Sequence, residues 1–355
     1  MTYENISSLS NRLEVIPAYL WLKIAQIDEL KGRFIATTSM SPQVLTSLKR
    51  SVLITSTGAS TRIEGARLSD EDIEKLLRGL SVRTFADRDI EEVKGYYELL
   101  DMVFNDWRHI HLTENSIKAL HRDLLKYAHK DERHRGEYKK AENRVQMFDP
   151  SGKVIGTVFE TTPAYLTSKE MEDLVAWLTQ SFKENVYHPL LIISNFVAEF
   201  LKIHPFLDGN GRLSRVLTNL LLLQQGYTYM PYVSHEKLVE DNKAGYYASL
   251  RASQKTFGSG IENIVPWLEF LLEILLKQSQ MAVGLLSQED ISKSLSKRQL
   301  VVWEYLQTVP EATPQEIATK TGVPRPTINQ VVGKLLQMKK IERIGQGRST
   351  RYRKT

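Results

Sequence analysis

At 355 residues, with 42% hydrophobic and 25% charged residues, the chain has the make-up of an ordinary folded protein of two or three domains, which excludes disordered, collagen-like and low-complexity classes. With no cysteine there is no disulfide framework, thiol nucleophile or thiolate metal site, and this, with an N-terminal stretch that has neither a basic nor an apolar leader segment, points to a reducing cytoplasm and no membrane partner. The formal charge of +5 is uneven: thirteen of the 47 Lys and Arg but four of the 42 Asp and Glu lie in residues 291–355, a balance of +9 that leaves −4 for residues 1–290. A basic tail on a slightly acidic body suggests a polyanion partner for the tail alone.

In chain order, apolar spacing of three and four predicts helices over 42–54, 92–107, 115–128, 167–183, 189–202, 212–225, 235–253 and 261–280. Residues 143–162 differ, because β-branched residues flank the turn Asp149-Pro150-Ser151-Gly152, and a β-hairpin is predicted. A shift to Ser, Lys and Gln over 282–298 marks a domain boundary. In the tail, Thr313, Pro314 and Glu316 form a helix start with an N-cap, a first-position proline and a capping-box glutamate. A second helix over 326–337 follows Gly322, and Ile341 to Lys354 read as a two-stranded wing. Residues 297–355 thus resemble a winged helix-turn-helix domain, which implies DNA as a partner, with 326–337 presented to the major groove and wing arginines on phosphates.

The chemistry concentrates in His204-Pro205-Phe206-Leu207-Asp208-Gly209-Asn210-Gly211-Arg212-Leu213-Ser214-Arg215. A glycine-bearing loop that enters a helix converges backbone N–H groups on an anion, and the helix start adds its positive dipole. Arg212 and Arg215 then sit where cations are unfavourable by about 0.3 to 1 kcal/mol each, an arrangement that makes sense when a ligand with several phosphates fills the site. Asp208 is an oxygen ligand suited to magnesium shared with phosphate, Asn210 can donate to a phosphate, and His204 can take a proton from an attacking hydroxyl. No P-loop, zincin or dinucleotide signature is present.

These twelve residues resemble the signature of the Fic family at every fixed position. The resemblance extends to Ile117-Lys118-Ala119-Leu120-His121, to the hairpin as a substrate-holding flap, and to Tyr246 and Tyr247 near an adenine pocket. It implies a mainly α fold, a Fic-type helical bundle with a β-hairpin flap, and transfer of AMP from ATP to a Ser, Thr or Tyr hydroxyl of a protein or of the chain itself. By the same resemblance His204 is the general base, Asp208 the Mg2+ ligand, Gly209, Asn210 and Gly211 hold the α-phosphate region, and Arg212 and Arg215 grip the outer phosphates. The hairpin departs from the usual flap in being longer and in lacking a Pro-Pro, with only Pro163 at its end.

Upstream, Ser60-Thr61-Arg62-Ile63-Glu64-Gly65 reads physically as a helix end, with 42–64 one helix and Gly65 its C′ residue. It resembles the family's inhibitory motif, which implies that Glu64, with Ser60, occupies the place of the γ-phosphate beside Arg215. The domains expected are a helical region 1–90 carrying this motif, a catalytic core 91–285 and a winged helix domain 291–355, with a homodimer compatible. Two other activities stay open at this point: removal of AMP by the same site, and a nucleotide-sensing DNA-binding regulator.

Overall fold

In the computed structural model, the described residues are 8–37, 42–79, 87–148, 154–338, 340–345, 347 and 350–354. The chain divides into two units, residues 1–283 and 284–355. The first opens with helices α1 (Ala18–Thr37), α2 (Pro42–Ile63), α3 (Asp70–Leu77), α4 (Asp87–Asp106) and α5 (Glu114–Leu124), then a two-stranded antiparallel sheet of β1 (Arg144–Phe148) and β2 (Val154–Glu160). It continues through α6 (Ala164–Glu184), α7 (Pro189–Ile203), α8 (Asn210–Gln224), α9 (His235–Asp241), α10 (Lys243–Gln254) and the first part of α11 (Val265–Ser294), whose residues from 284 on belong to the second unit.

The centre of this unit is α7. Its Leu190, Leu191, Ile192, Ile193, Phe196, Val197, Phe200 and Leu201 are all buried, so the helix is apolar on every side, as a helix surrounded by others must be. It packs against α6 and α8; α8 also touches α4, and α4 touches α2 and α5. Position 188 supplies the N-cap of α7 and Pro189 its first residue, and the helix ends where His204 turns left-handed at φ 51°. Thr113 and Ser116 close a capping box at the start of α5, which fixes where His121 falls.

Most predicted helices are found, with revised ends. The helix from 42 runs to Ile63 and Gly65 has φ 106°. The single helix predicted over 235–253 is broken at Asn242, whose side chain turns back to the Leu238 carbonyl at 2.8 Å, an example of a short amide competing with helix continuation. The helix predicted to end near 280 continues through Ser294. Helices α1 and α3 lay outside the predicted set: Trp21, Leu22 and Ile35 are exposed on α1 and blur its stripe, and α3 has only eight residues. The hairpin pairs Arg144 with Glu160 and Phe148 with Val154 through two register shifts, while its predicted turn at 149–152 lies outside the described residues.

The second unit holds α12 (Lys297–Thr308), α13 (Pro314–Thr321), α14 (Arg325–Gln337) and the antiparallel pair β3 (Ile341–Ile344) and β4 (Arg351–Lys354). Thr313 and Glu316 form the capping box and Gly322 ends α13 at φ 67°. Val302, Trp303, Leu306, Ile317, Ile328, Val331, Val332 and Leu335 make its core. Arg348 and Ser349 of the predicted wing lie outside the described residues.

Helices α4 and α5 approach closely at Gly95, where an added Cβ would strike the Leu124 carbonyl oxygen. Gly95→Ala is therefore expected to destabilise the protein by about 1 to 3 kcal/mol. Gly32→Ala, on an exposed part of α1 with open space around it, should be neutral or stabilising by about 0.5 to 1 kcal/mol. Urea midpoints of both variants check the pair.

Candidate active site

The site forms where α7 ends and α8 begins. His204 is the C-cap of α7, its N–H donating to the Phe200 carbonyl at 2.9 Å, and its Nδ1 lies 3.3 Å from the Leu201 carbonyl. With Nδ1–H donated there, the ring lone pair is on Nε2. Burial pushes the His204 pKa down to about 4, the Leu201 bond opposing it only in part, so the imidazole is neutral near pH 7 and in the form that accepts a proton.

The loop between the two helices is braced from inside. Asn210, only 1% exposed, accepts the Phe206 N–H at 2.9 Å and donates to the Phe206 carbonyl at 2.7 Å. Gly209 has φ 79°, a conformation in which a side chain would be strained, and a Cβ there would press on Leu124 and His121. His121, fully buried on α5, accepts the Gly136 N–H on Nδ1 at 2.9 Å, donates from Nε2 to the Asp208 carbonyl at 3.0 Å, and stacks on Phe206 with ring centres 3.7 Å apart. These two bonds fix its tautomer, and burial holds its pKa down to about 4. The sequence offered His121 only as part of a family likeness; its work as a loop brace needs the fold to be seen.

The two arginines of α8 point to different partners. Arg212, 1% exposed, lies 2.7 Å from a Glu92 oxygen and 3.1 Å from Asp208 Oδ2. Arg88 completes a ring, 2.7 Å from the other Glu92 oxygen and 3.0 Å from the same Asp208 Oδ2. Neither Arg88 nor Glu92 is signalled by the signature, because both come from α4, more than a hundred residues upstream. Arg215, 2% exposed, donates from Nε to Ser60 Oγ at 2.8 Å, and from Nη2 to the Ser60 carbonyl at 3.0 Å and to Glu64 Oε1 at 2.8 Å. Its Nη1 is buried with no hydrogen-bond partner among the described residues. Burial would lower the Arg215 pKa, but Glu64 outweighs it and holds the group above its ordinary value. Glu64 itself sits over the start of α8, so close to Gly211 that a Cβ there would collide with its carboxylate.

Asp208 is half-buried. Burial raises its pKa, but Arg212, the Gly209 N–H at 2.6 Å and Arg88 together hold it below the usual carboxylate value. Among the described residues no group of three or more His, Asp or Glu is placed to hold a metal. A single ionised carboxylate suits a magnesium ion whose other ligands are phosphate and water oxygens, so the donor set fits an ion that arrives with a nucleotide. Of the predicted tyrosine pair, Tyr246 is 4% exposed and meets the edges of Tyr247, Trp267 and Phe270; it is a core residue. Tyr247 is half-buried, its hydroxyl pKa pushed up by burial and by Glu64.

The scaffold thus ends one buried helix in a histidine that burial holds neutral and places two buried arginines in the first two turns of the next. Residues 111–222 match the model of the Fic/DOC family. A Fido domain-containing protein of Dictyostelium discoideum is 31% identical over 109 residues, which are 29% of this chain and 71% of that protein. A protein adenylyltransferase Fic of Drosophila grimshawi is 33% identical over 118 residues, 33% of this chain and 22% of that protein. A solved Fic family protein from Desulfovibrio desulfuricans shares the fold over 97% of this chain and 98% of its own, with a TM-score of 0.62 at 23% identity. The chain belongs to the Fic/DOC family. It spans about a fifth of the length of the Drosophila relative.

A histidine whose folded pKa lies below its unfolded value near 6.5 takes up its proton first in the unfolded chain. His121 and His204 should therefore cost the fold stability as pH falls from about 6.5 toward 4, His121 on the order of 1 kcal/mol per pH unit in that window. Urea unfolding at pH 7 and pH 5 measures the loss. In His121→Gln, which cannot take up that proton, the loss should shrink by that share; an unchanged pH dependence would show that His121 is not held neutral.

Proposed function

We propose that the chain is a protein adenylyltransferase, moving AMP from ATP to a Ser, Thr or Tyr hydroxyl, with Glu64 holding the activity back. The observation that carries this reading is the neutral His204 at the end of α7 facing an anion seat at the start of α8, in a family whose Drosophila relative bears that name. In the step, the target hydroxyl oxygen attacks the α-phosphorus of ATP, its proton passes to His204 Nε2, the bond from the α-phosphorus to the bridging oxygen breaks, and pyrophosphate leaves with that electron pair. The first-turn N–H groups of α8 face the phosphate charge. Asp208 would hold magnesium, which when bound would supply positive charge beside the phosphates.

Arg215 needs an anion, because a buried guanidinium without one is costly. Glu64 supplies it in the absence of nucleotide, and a γ-phosphate supplies it during turnover. The two compete for one place, so the carboxylate keeps the triphosphate out of its reactive alignment. Incubation with magnesium and ATP labelled at the α-phosphate is expected to label protein weakly with the native chain, at least about tenfold more with Glu64→Gly, and not at all with His204→Ala. Equal labelling by the native chain and Glu64→Gly would remove the lock, and labelling by His204→Ala would remove the base.

The second unit supports a separate reading as a winged helix domain that binds DNA. Helix α14 carries no acidic residue, buries Ile328, Val331, Val332 and Leu335, and exposes Arg325, Asn329 and Gln330, side chains suited to base edges. The full chain should bind a fluorescent duplex with an affinity that falls at least about tenfold between roughly 50 and 200 mM salt. Binding that ignores salt would contradict this. The lack of cysteine fits a cytoplasmic setting, and no helix among the described residues is long and apolar enough to cross a membrane.

A further inference from the structure

Lys139 lies just before the hairpin and is only 3% exposed. Its Nζ donates to the Ile203 carbonyl at 2.9 Å, to Asn143 Oδ1 at 2.8 Å and to Thr161 Oγ1 at 3.0 Å. Ile203 is the last residue of α7, so the ammonium caps the helix that ends in His204, at the end where the helix dipole favours a cation. Asn143 and Thr161 stand immediately before β1 and after β2, one at each foot of the hairpin. From there Asn143 Nδ2 donates to the Phe206 carbonyl at 2.8 Å and to the His204 carbonyl at 3.3 Å. The Lys139 N–H donates to the Pro205 carbonyl at 2.8 Å, and the Thr162 N–H to the Lys202 carbonyl at 3.3 Å.

Two strands and the loop of the base thus meet on one ammonium group. All three of its acceptors are neutral, and burying a charge among neutral acceptors is expensive; burial holds its pKa down to about 8. An apolar side chain of similar length would fill the space without that cost, so packing does not account for the charge.

We propose that Lys139 is a positioning residue for the transfer step, tying His204 and both feet of the hairpin into one rigid piece so that a target held by the hairpin meets the base at a fixed distance. This rests on His204 being the base. The charged groups that face His204 are Lys139 from before the hairpin, Glu64 from the end of α2 and Asp208 from its own loop, and those that face Lys139 are Glu142 and Glu170.

Two measurements on the full chain test it. In the Glu64→Gly background, transfer of α-labelled AMP from ATP to protein should lose at least about tenfold in kcat with Lys139→Met, while the KM for ATP stays within about twofold. Asn143→Ala should cost a similar factor, and the double variant no more than either alone, because both break one clamp. The second measurement needs no activity: histidine-labelled protein titrated by NMR should show the His204 pKa rising in Lys139→Met, which removes the neighbouring cation, and staying low in Lys139→Arg. An unchanged kcat and an unchanged His204 pKa in folded Lys139→Met would overturn the proposal. If that variant does not fold, Thr161→Val keeps the ammonium and removes one foot; it should lower kcat several-fold with the His204 pKa unmoved, and an unaltered kcat would overturn the clamp. If the parent itself transfers no AMP, the base reading has failed, and the titration alone decides whether Lys139 holds His204.

Discussion

Two guanidinium groups in the first two turns of one buried helix, Arg212 in the first and Arg215 in the second, set the terms for the rest of the structure. Arg212 and Arg215 are almost wholly inaccessible to water, and Arg212 also lies in the first turn, where a cation is unfavourable. Each must therefore have an anion, and each draws one from a distant part of the chain. Arg212 takes Glu92 and Asp208, and Arg215 takes Glu64. Helix α2, which ends just before Glu64, and α4, which carries Glu92, are held against α7 and α8 by this need as well as by their apolar faces.

The two anions are not equivalent. Glu92 is nearly buried, at 8% exposure, and belongs to a closed ring with Arg88, Asp208 and Arg212. Removing one member of that ring leaves a buried charge uncompensated. Glu64 is about a third exposed, sits at a helix end next to a glycine of positive φ, and touches only one nitrogen of Arg215 while another nitrogen stays without a partner. A contact of that kind can be exchanged for a phosphate with little rearrangement, which is what a two-state lock requires. Order in the loop from His204 to Gly209 comes from other residues, from Asn210, His121 and Asn143, and not from Glu64.

The signature from His204 to Arg215 was legible because it breaks local rules: glycines where a helix begins, cations at its positive end, and a histidine at a turn. The helix end at Glu64 could be read from Gly65 alone, and the hairpin from its β-branched strands. The members of the site that come from outside these segments were not legible. Arg88, Glu92, Lys139 and Asn143 sit among other charged and polar residues with no periodicity to mark them, and only tertiary contact gives them their partners. Some residues that the sequence marks as ligand contacts also have work inside the fold. Tyr246 packs among aromatic rings, and Asn210 bonds the Phe206 backbone with its amide. A buried polar side chain is more often satisfied by its own backbone than by a ligand.

The central claim is that Glu64 stands in the place of a phosphate. It is tested most directly by the crystal structure of Glu64→Gly with magnesium and an ATP analogue that cannot be cleaved at the α-phosphorus. The γ-phosphate should lie on Arg215 in the space the carboxylate left, with the α-phosphorus open to a hydroxyl within hydrogen-bond reach of His204 Nε2. A triphosphate that runs elsewhere and leaves Arg215 bound to Ser60 alone would contradict it.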